Sequence, residues 1–113
     1  MYMEQIKNES DILSELDVVL NKRKNAQPDT SYVASLFSKG NQHIGKKILE
    51  ETNELIDAVG SKEKKDIIHE TADVWFHSMV LLSNNDLSAN DVLHELRRRF
   101  GLSGHDEKKL RDK

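Results

Sequence analysis

The stretch from Asp66 to Asn84 constrains this chain more than any other. Wound as a helix at about 100° per residue, its apolar residues (Ile67, Ile68, Val74, Trp75, Phe76, Met79, Val80 and Leu81 among them) point in almost every direction. A helix that is apolar all round belongs inside a protein. Yet Glu70, Asp73 and His77 recur at i, i+3 and i+7, which sets them on one stripe of that same helix. A buried carboxylate without a partner is costly, so it must meet a cation, take up a proton or keep access to water. No lysine or arginine occurs between Asp66 and Asn90 to neutralise the stripe along the chain.

The preceding helix offers a matching set of acids. Glu50, Glu54 and Asp57 share one narrow stripe, and Glu51 stands about 100° away at the border of the face made by Ile44, Ile48, Leu55, Ile56 and Val59. By itself this pattern is an ordinary solvated face of an amphipathic helix. Set against the acids of the buried helix, it acquires a second meaning: two acidic stripes facing each other across a metal ion. Mg²⁺ is typically held by a few carboxylates together with phosphates and water. The competing arrangement has Glu70 and Asp73 in salt bridges with Lys46, Lys47 or the cluster Arg97 to Arg99.

The rest of the chain is helical too. One proline and five glycines leave few breaks, and no window alternates with the period of a strand. The spacing predicts helices over about Asp11 to Lys24 with Ser10 as N-cap, Ser31 to Phe37 closed by Gly40, and Asn41 to Val59 stopping at Gly60. A further helix runs from Ser61 to about Asn84, and the last from Ala89 to Phe100, capped by Ser88. A Ser-Gly turn at Ser103-Gly104 opens a charged tail. The fold class is all-α, a helical bundle over residues 11–113, after an N-terminal extension at 1–10 that carries no pattern.

Composition narrows the function classes. The net charge is −3, and Arg97 to Arg99 is a short basic cluster in an acidic chain, so neither nucleic acid nor an anionic membrane is an expected partner. The absence of cysteine rules out disulfides, thiolate chemistry and Cys-based zinc sites. The first ten residues lack the apolar core of a secretory signal, and a cytoplasmic protein is expected.

Glu50-Glu51-x-x-Glu54 followed by Glu70-x-x-Asp73 resembles the metal-binding signature of the all-α nucleoside triphosphate pyrophosphohydrolases of the MazG type. The flanks are similar to one family within it, the phosphoribosyl-ATP pyrophosphatases of histidine biosynthesis. They are Asp29 to Phe37 with Gly40, Lys46-Lys47 before the glutamate pair, Trp75-Phe76-His77 and Leu81-Leu82 after the second acids, then Asp91-Val92-Leu93, Glu95-Leu96, Arg97 to Arg99, Ser103-Gly104 and Glu107-Lys108. Leu49 departs from that family's pattern, where a glycine would be expected. The resemblance spans about Ile12 to Arg111 and shows no sign of the cyclohydrolase domain sometimes fused to this family.

What the resemblance implies is a Mg²⁺-dependent enzyme that converts phosphoribosyl-ATP and water to phosphoribosyl-AMP and pyrophosphate, as a homodimer or larger assembly. Glu51, Glu54, Glu70 and Asp73 are then the expected metal ligands. Glu50 and Glu51 are the candidate catalytic glutamates, Glu50 as the one that orients the attacking water. Lys46, Lys47, Tyr32, Arg97 and Arg99 are candidates for substrate contacts, and His77 for a hydrogen bond to a carboxylate ligand. Each has a plainer alternative: solvated lysines, a surface salt bridge for the arginines, core packing for His77 and Tyr32. Trp75, Phe76 and Leu82 are read as core or dimer interface. Two rival functions remain at this level: a related (deoxy)nucleoside triphosphate pyrophosphohydrolase, and a helical interaction module whose acids are merely solvated.

Overall fold

A computed structural model describes residues 12–100. They form five helices: α1 (Ile12–Arg23), α2 (Tyr32–Lys39), α3 (Asn41–Ser61), α4 (Lys64–Asn84) and α5 (Ala89–Arg99). No strand occurs among the described residues, and the all-α bundle read from the spacing is what forms. The Ser10 cap, Ser103-Gly104 and Glu107-Lys108 lie outside the described residues.

The frame is the antiparallel hairpin of α3 and α4. At one end an amide cluster ties the start of α3 to the end of α4: Asn84 Nδ2 donates to Asn41 Oδ1 at 2.7 Å, and Asn41 Nδ2 to Asn85 Oδ1 at 3.1 Å. At the other end the chain reverses within Lys62 and Glu63. Here two expectations need correction. Gly60 does not stop α3, which runs on to Ser61 and closes at Lys62, whose left-handed backbone (φ 65°) sends its N–H to the Val59 carbonyl. A glycine inside a helix costs about 1 kcal/mol relative to alanine, too little to end one whose cap lies two residues further on. Ser61 accordingly does not begin α4: its hydroxyl donates to the Ala58 carbonyl at 2.7 Å, in the last turn of α3. Glu63 holds the N-cap position of α4 without a side-chain cap bond.

The other helices are set by local chemistry that the sequence displays. Ser31 Oγ accepts from the Ala34 N–H at 3.2 Å and starts α2. Gly40 ends it with φ 89°, a conformation that side chains rarely adopt, so the joint to α3 requires glycine. Past α4, Asp86 takes φ 60° while the Leu87 N–H reaches back to the Leu82 carbonyl and the Asp86 N–H to the Ser83 carbonyl. That paired closure satisfies carbonyls a helix end would otherwise leave open. Ser88 then caps α5 in a reciprocal box with Asp91, and Asp17 of α1 accepts the Ala89 N–H at 3.0 Å. Burial raises the Asp17 pKa, the Ala89 bond opposes that rise, and the nearby Asp91 adds to it.

The core sits where all five helices converge. Leu20, Leu36, Ile44, Met79, Val80 and Ala89 are buried together, one or two from each helix. This places the packed interior at the start of α3 and the second half of α4. The opposite half of the hairpin is less covered. Ile68 is 70 % and Trp75 60 % exposed, so the expected burial of α4 on every side is not met within one chain. Residues of α1 and α5 line clefts beside Trp75 without covering it, and Trp75 is not core.

Ile44→Ala is expected to lower the unfolding free energy by about 2–5 kcal/mol, because the side chain is fully enclosed. Ser88→Ala removes one cap and should cost about 1 kcal/mol. Urea titrations of the two variants check the ranking, and a larger loss for Ser88→Ala would mean that the core is elsewhere.

Candidate metal centre

Three buried positions of α3, Ile44, Glu51 and Ala58, recur every seven residues and form the seam of α3. The middle one is a glutamate. Glu51 is 9 % exposed, and its Oε2 has neither a hydrogen-bond partner nor solvent contact. On α4, Glu70 Oε2 is in the same condition. Glu51, Glu54 and Glu70 each bring a carboxylate oxygen to within 4.8 Å of the other two. A second triplet, His69, Glu70 and Asp73, meets the same limit and shares Glu70 with the first. Its His69 Nε2 stands 3.4 Å from Asp73 Oδ2.

The electrostatics follow from this crowding. Burial raises the Glu51 pKa, and the negative charges of Glu54 and Asp73 raise it further, against a smaller opposing pull from His77. Glu70 is raised by desolvation and then by Glu54, with His69 opposing. Lys47 feels the charge of Glu51, but its ion pair is with Glu50, Asp73 stands against His69, and Arg98 and Arg99 hold Glu95. The expected alternative of Glu70 and Asp73 in salt bridges with Lys46, Lys47 or the arginine cluster therefore does not form among the described residues. Buried oxygens without partners, all carboxylate, are the donor set that a hard divalent cation accepts. The residues therefore fit such an ion.

The remaining sequence candidates fall into three places. Glu50 is exposed and accepts from Lys47 Nζ at 3.0 Å. That hydrogen bond, then the Lys47 charge, holds its carboxyl below the usual range, and the same contact raises the Lys47 pKa. Glu50 and Asp57 belong to neither triplet. Lys46 lies exposed on the same stretch of α3.

His77 is 5 % exposed and is held at both nitrogens: Nδ1 lies 2.8 Å from the main-chain carbonyl of Asp73, and Nε2 lies 2.9 Å from the Tyr32 hydroxyl. Its partner on α4 is thus the backbone of an acidic residue rather than a carboxylate. Phe76 and Tyr32 meet the imidazole edge to face, at centroid distances of 5.3 and 6.1 Å.

Arg97 and Arg99 are not brought to the carboxylates. They ride on α5, whose Val92, Leu93 and Leu96 line a cleft with Trp75, Met79 and Leu82 of α4. Those α4 positions lie roughly opposite Glu70 and Asp73 around the helix. Arg99 bonds Glu95 at 2.8 Å, and with Arg98 it pulls the Glu95 pKa down to about 2. His69 was missed by the sequence reading, although its place four residues before Asp73 on one helix face is a signal that could have found it.

A helical hairpin lined with carboxylates, with a lysine pair beside them, defines a class of small all-α proteins suited to gathering a divalent cation and a phosphorylated ligand. Within that class the match is specific: residues 13–100 fit the family described as phosphoribosyl-ATP pyrophosphohydrolase. The chain is 47 % identical over 108 residues to the phosphoribosyl-ATP pyrophosphatase of Hydrogenovibrio crunogenus, covering 92 % of this chain and 96 % of that protein. It is 52 % identical over 101 residues to the phosphoribosyl-ATP pyrophosphatase of an Azoarcus species, covering 89 % of this chain and 94 % of the relative. The chain belongs to the phosphoribosyl-ATP pyrophosphohydrolase family.

The raised carboxylates make a pH prediction. Below about pH 4.5 the glutamates are protonated in folded and unfolded chains alike and carry no penalty. As the pH rises through the elevated folded-state pKa values of Glu51 and Glu70, the unfolded chain ionises more readily and metal-free stability falls. Glu95 acts in the opposite sense: its contribution is lost as the pH falls from about 4.5 towards about 2, and exposure keeps it small. Thermal midpoints without divalent ions should decline above pH 4.5 and flatten in Glu51→Gln. A Glu51→Gln midpoint no higher than wild type at pH 8 would contradict the crowding.

Proposed function

We infer that this chain hydrolyses phosphoribosyl-ATP to phosphoribosyl-AMP and pyrophosphate in histidine biosynthesis, with Mg²⁺ as the metal. The observation that carries the reading is the pair of unpartnered buried oxygens, Glu51 Oε2 and Glu70 Oε2, in a chain of this family. We assign Glu51, Glu54, Glu70 and Asp73 to the metal. When bound, Mg²⁺ supplies charge neutralisation between these carboxylates and the triphosphate, and polarises the phosphorus.

The chain's own groups do the rest. The clustered acids are held by the seam of α3 against α4, so their mutual geometry is in place before substrate arrives. Lys46 and Lys47 stand where the acidic stretch of α3 begins and bind the phosphates, Lys47 kept protonated by Glu50. Glu50, with its lowered pKa, suits orienting the attacking water better than taking its proton. Glu51 is held to the metal in this reading, so the role at the attacking water falls to Glu50, outside both triplets. Tyr32 and His77 close the α2 side of the site through their hydrogen bond.

Two copies of the chain complete the assembly in this reading. The uncovered flank of α4, with Ile67, Ile68, Thr71, Ala72 and Trp75 along one shallow groove, supports it, because an apolar helix face of this extent is seldom left in water. Any contact of Arg97 or Arg99 with substrate is then made across the interface. A cytoplasmic location suits such a biosynthetic enzyme, and among the described residues no helix is long and apolar enough to cross a membrane.

Pyrophosphate release measured on phosphoribosyl-ATP, ATP and dUTP tests the reading. Fast release from phosphoribosyl-ATP that needs Mg²⁺ is expected, with Glu54→Gln and Glu70→Gln each slowing it by about 100-fold or more. Equal turnover of ATP or dUTP would shift the assignment to a broader triphosphate pyrophosphohydrolase.

A further inference from the structure

His69 meets the carboxylates from the outer side of α4. At about 100° per residue, Asp73 lies between its two neighbours around the helix, about 60° from Glu70 and about 40° from His69. Burial falls off in the same order. Glu70 keeps one oxygen wholly covered, the Asp73 side chain is 36 % exposed, and that of His69 is 71 % exposed. The three residues form an arc from the interior of the hairpin to solvent. One ligand atom from each stands within 4.8 Å of the other two.

The contact of His69 Nε2 with Asp73 Oδ2, at 3.4 Å, has two explanations. As an ion pair it is weak, because it is exposed and the base precedes the acid along the helix, the less favourable order against the helix dipole. As two ligand atoms of one ion it is well placed. Atoms bound at about 2.1 Å to a small divalent ion stand roughly 3 Å apart when adjacent and roughly 4 Å when opposed.

The inner end of the arc calls for a cation independently of His69. Glu51, 9 % exposed, holds an oxygen with no partner, and its carboxylate comes within 4.8 Å of that of Glu70. Glu70 belongs to both triplets, so the His69 position adjoins an all-oxygen one. The two differ in chemistry. Mg²⁺ takes oxygen ligands, whereas an imidazole nitrogen favours the first-row transition ions.

We propose that His69 is a nitrogen ligand of this centre. With Glu70 and Asp73 it holds a first-row transition cation, Mn²⁺ or a later ion of the row, in preference to Mg²⁺. This position lies beside the all-carboxylate one of Glu51, Glu54 and Glu70. The proposal rests on the assignment of Glu70 and Asp73 to metal, and is independent of which nucleotide the chain cleaves.

The test uses the whole chain without substrate, as wild type, His69→Ala and Glu70→Gln. Mn²⁺ binding is followed by electron paramagnetic resonance, and Mg²⁺ binding by calorimetric titration. His69 lies at the surface, so its truncation spares the fold. Loss of a group that merely supports a metal ligand costs about 10- to 100-fold in affinity. Loss of His69 as a direct ligand is therefore expected to weaken Mn²⁺ about tenfold or more, and Mg²⁺ by less than about threefold. Pulsed measurements on bound Mn²⁺ should show nitrogen coupling in wild type and none in His69→Ala. A wild type without that coupling, or coupling that persists in His69→Ala, overturns the proposal. So do parallel losses of Mn²⁺ and Mg²⁺ affinity, the pattern of a residue that only steadies the carboxylates. If Glu70→Gln abolishes Mn²⁺ binding while His69→Ala leaves it unchanged, the metal assignment stands and this proposal falls. A wild type that binds no Mn²⁺ sinks both.

Discussion

The structure depends on a repulsion that the chain relieves only in part by itself. Glu51 occupies the seam of α3, where a hydrophobic residue would pack, and it faces Glu70 across the hairpin with Glu54 and Asp73 close by. Burial and like charge both act against ionisation there, and His77 and His69 oppose them only in part. A protein tolerates such a cost when something outside the chain offsets it. A cation bridging a phosphorylated substrate is the physically simplest agent, and it explains why the acids occupy one half of the hairpin only.

The division of the hairpin into halves is itself a consequence of where the core forms. Leu20, Leu36, Ile44, Val80 and their neighbours draw α1, α2 and α5 onto one end of α3 and α4. That end holds the fold together, so the other can carry charges that would destabilise a packed interior. The link between the halves is short. His77 follows the Asp73 turn by four residues, packs against Phe76, and bonds to Tyr32 on α2. One buried imidazole thus joins a helix of the packed end to the turn that carries Asp73.

Helix α4 carries more apolar surface than its own chain covers. The same helix presents acids on one side, core residues on another and the Ile68–Trp75 flank on a third. Such a threefold division explains why its sequence shows no single apolar stripe. What looks like uniform burial in the pattern is three different environments, two of them met within one chain.

How much of this was legible beforehand depends on whether the cause was local. Helix class, the Ser31 and Ser88 caps, the Gly40 joint and the acids on two adjacent helices all follow from spacing and side-chain chemistry within a few residues, and they could be read directly. The seam of α3 could also be read: Ile44, Glu51 and Ala58 stand seven apart, though the broader apolar face drew attention to Glu51 only as a border residue. Gly60 and Ser61 misled because left-handed closure at Lys62 leaves no clear composition signal. The tertiary structure alone decided which carboxylates meet. It set Glu51 against Glu70, turned Glu50 out to Lys47, and put Arg97 and Arg99 on the far side of α4. Those outcomes depend on how two helices rotate against each other as they pack, and a chain's sequence periodicity describes each helix singly.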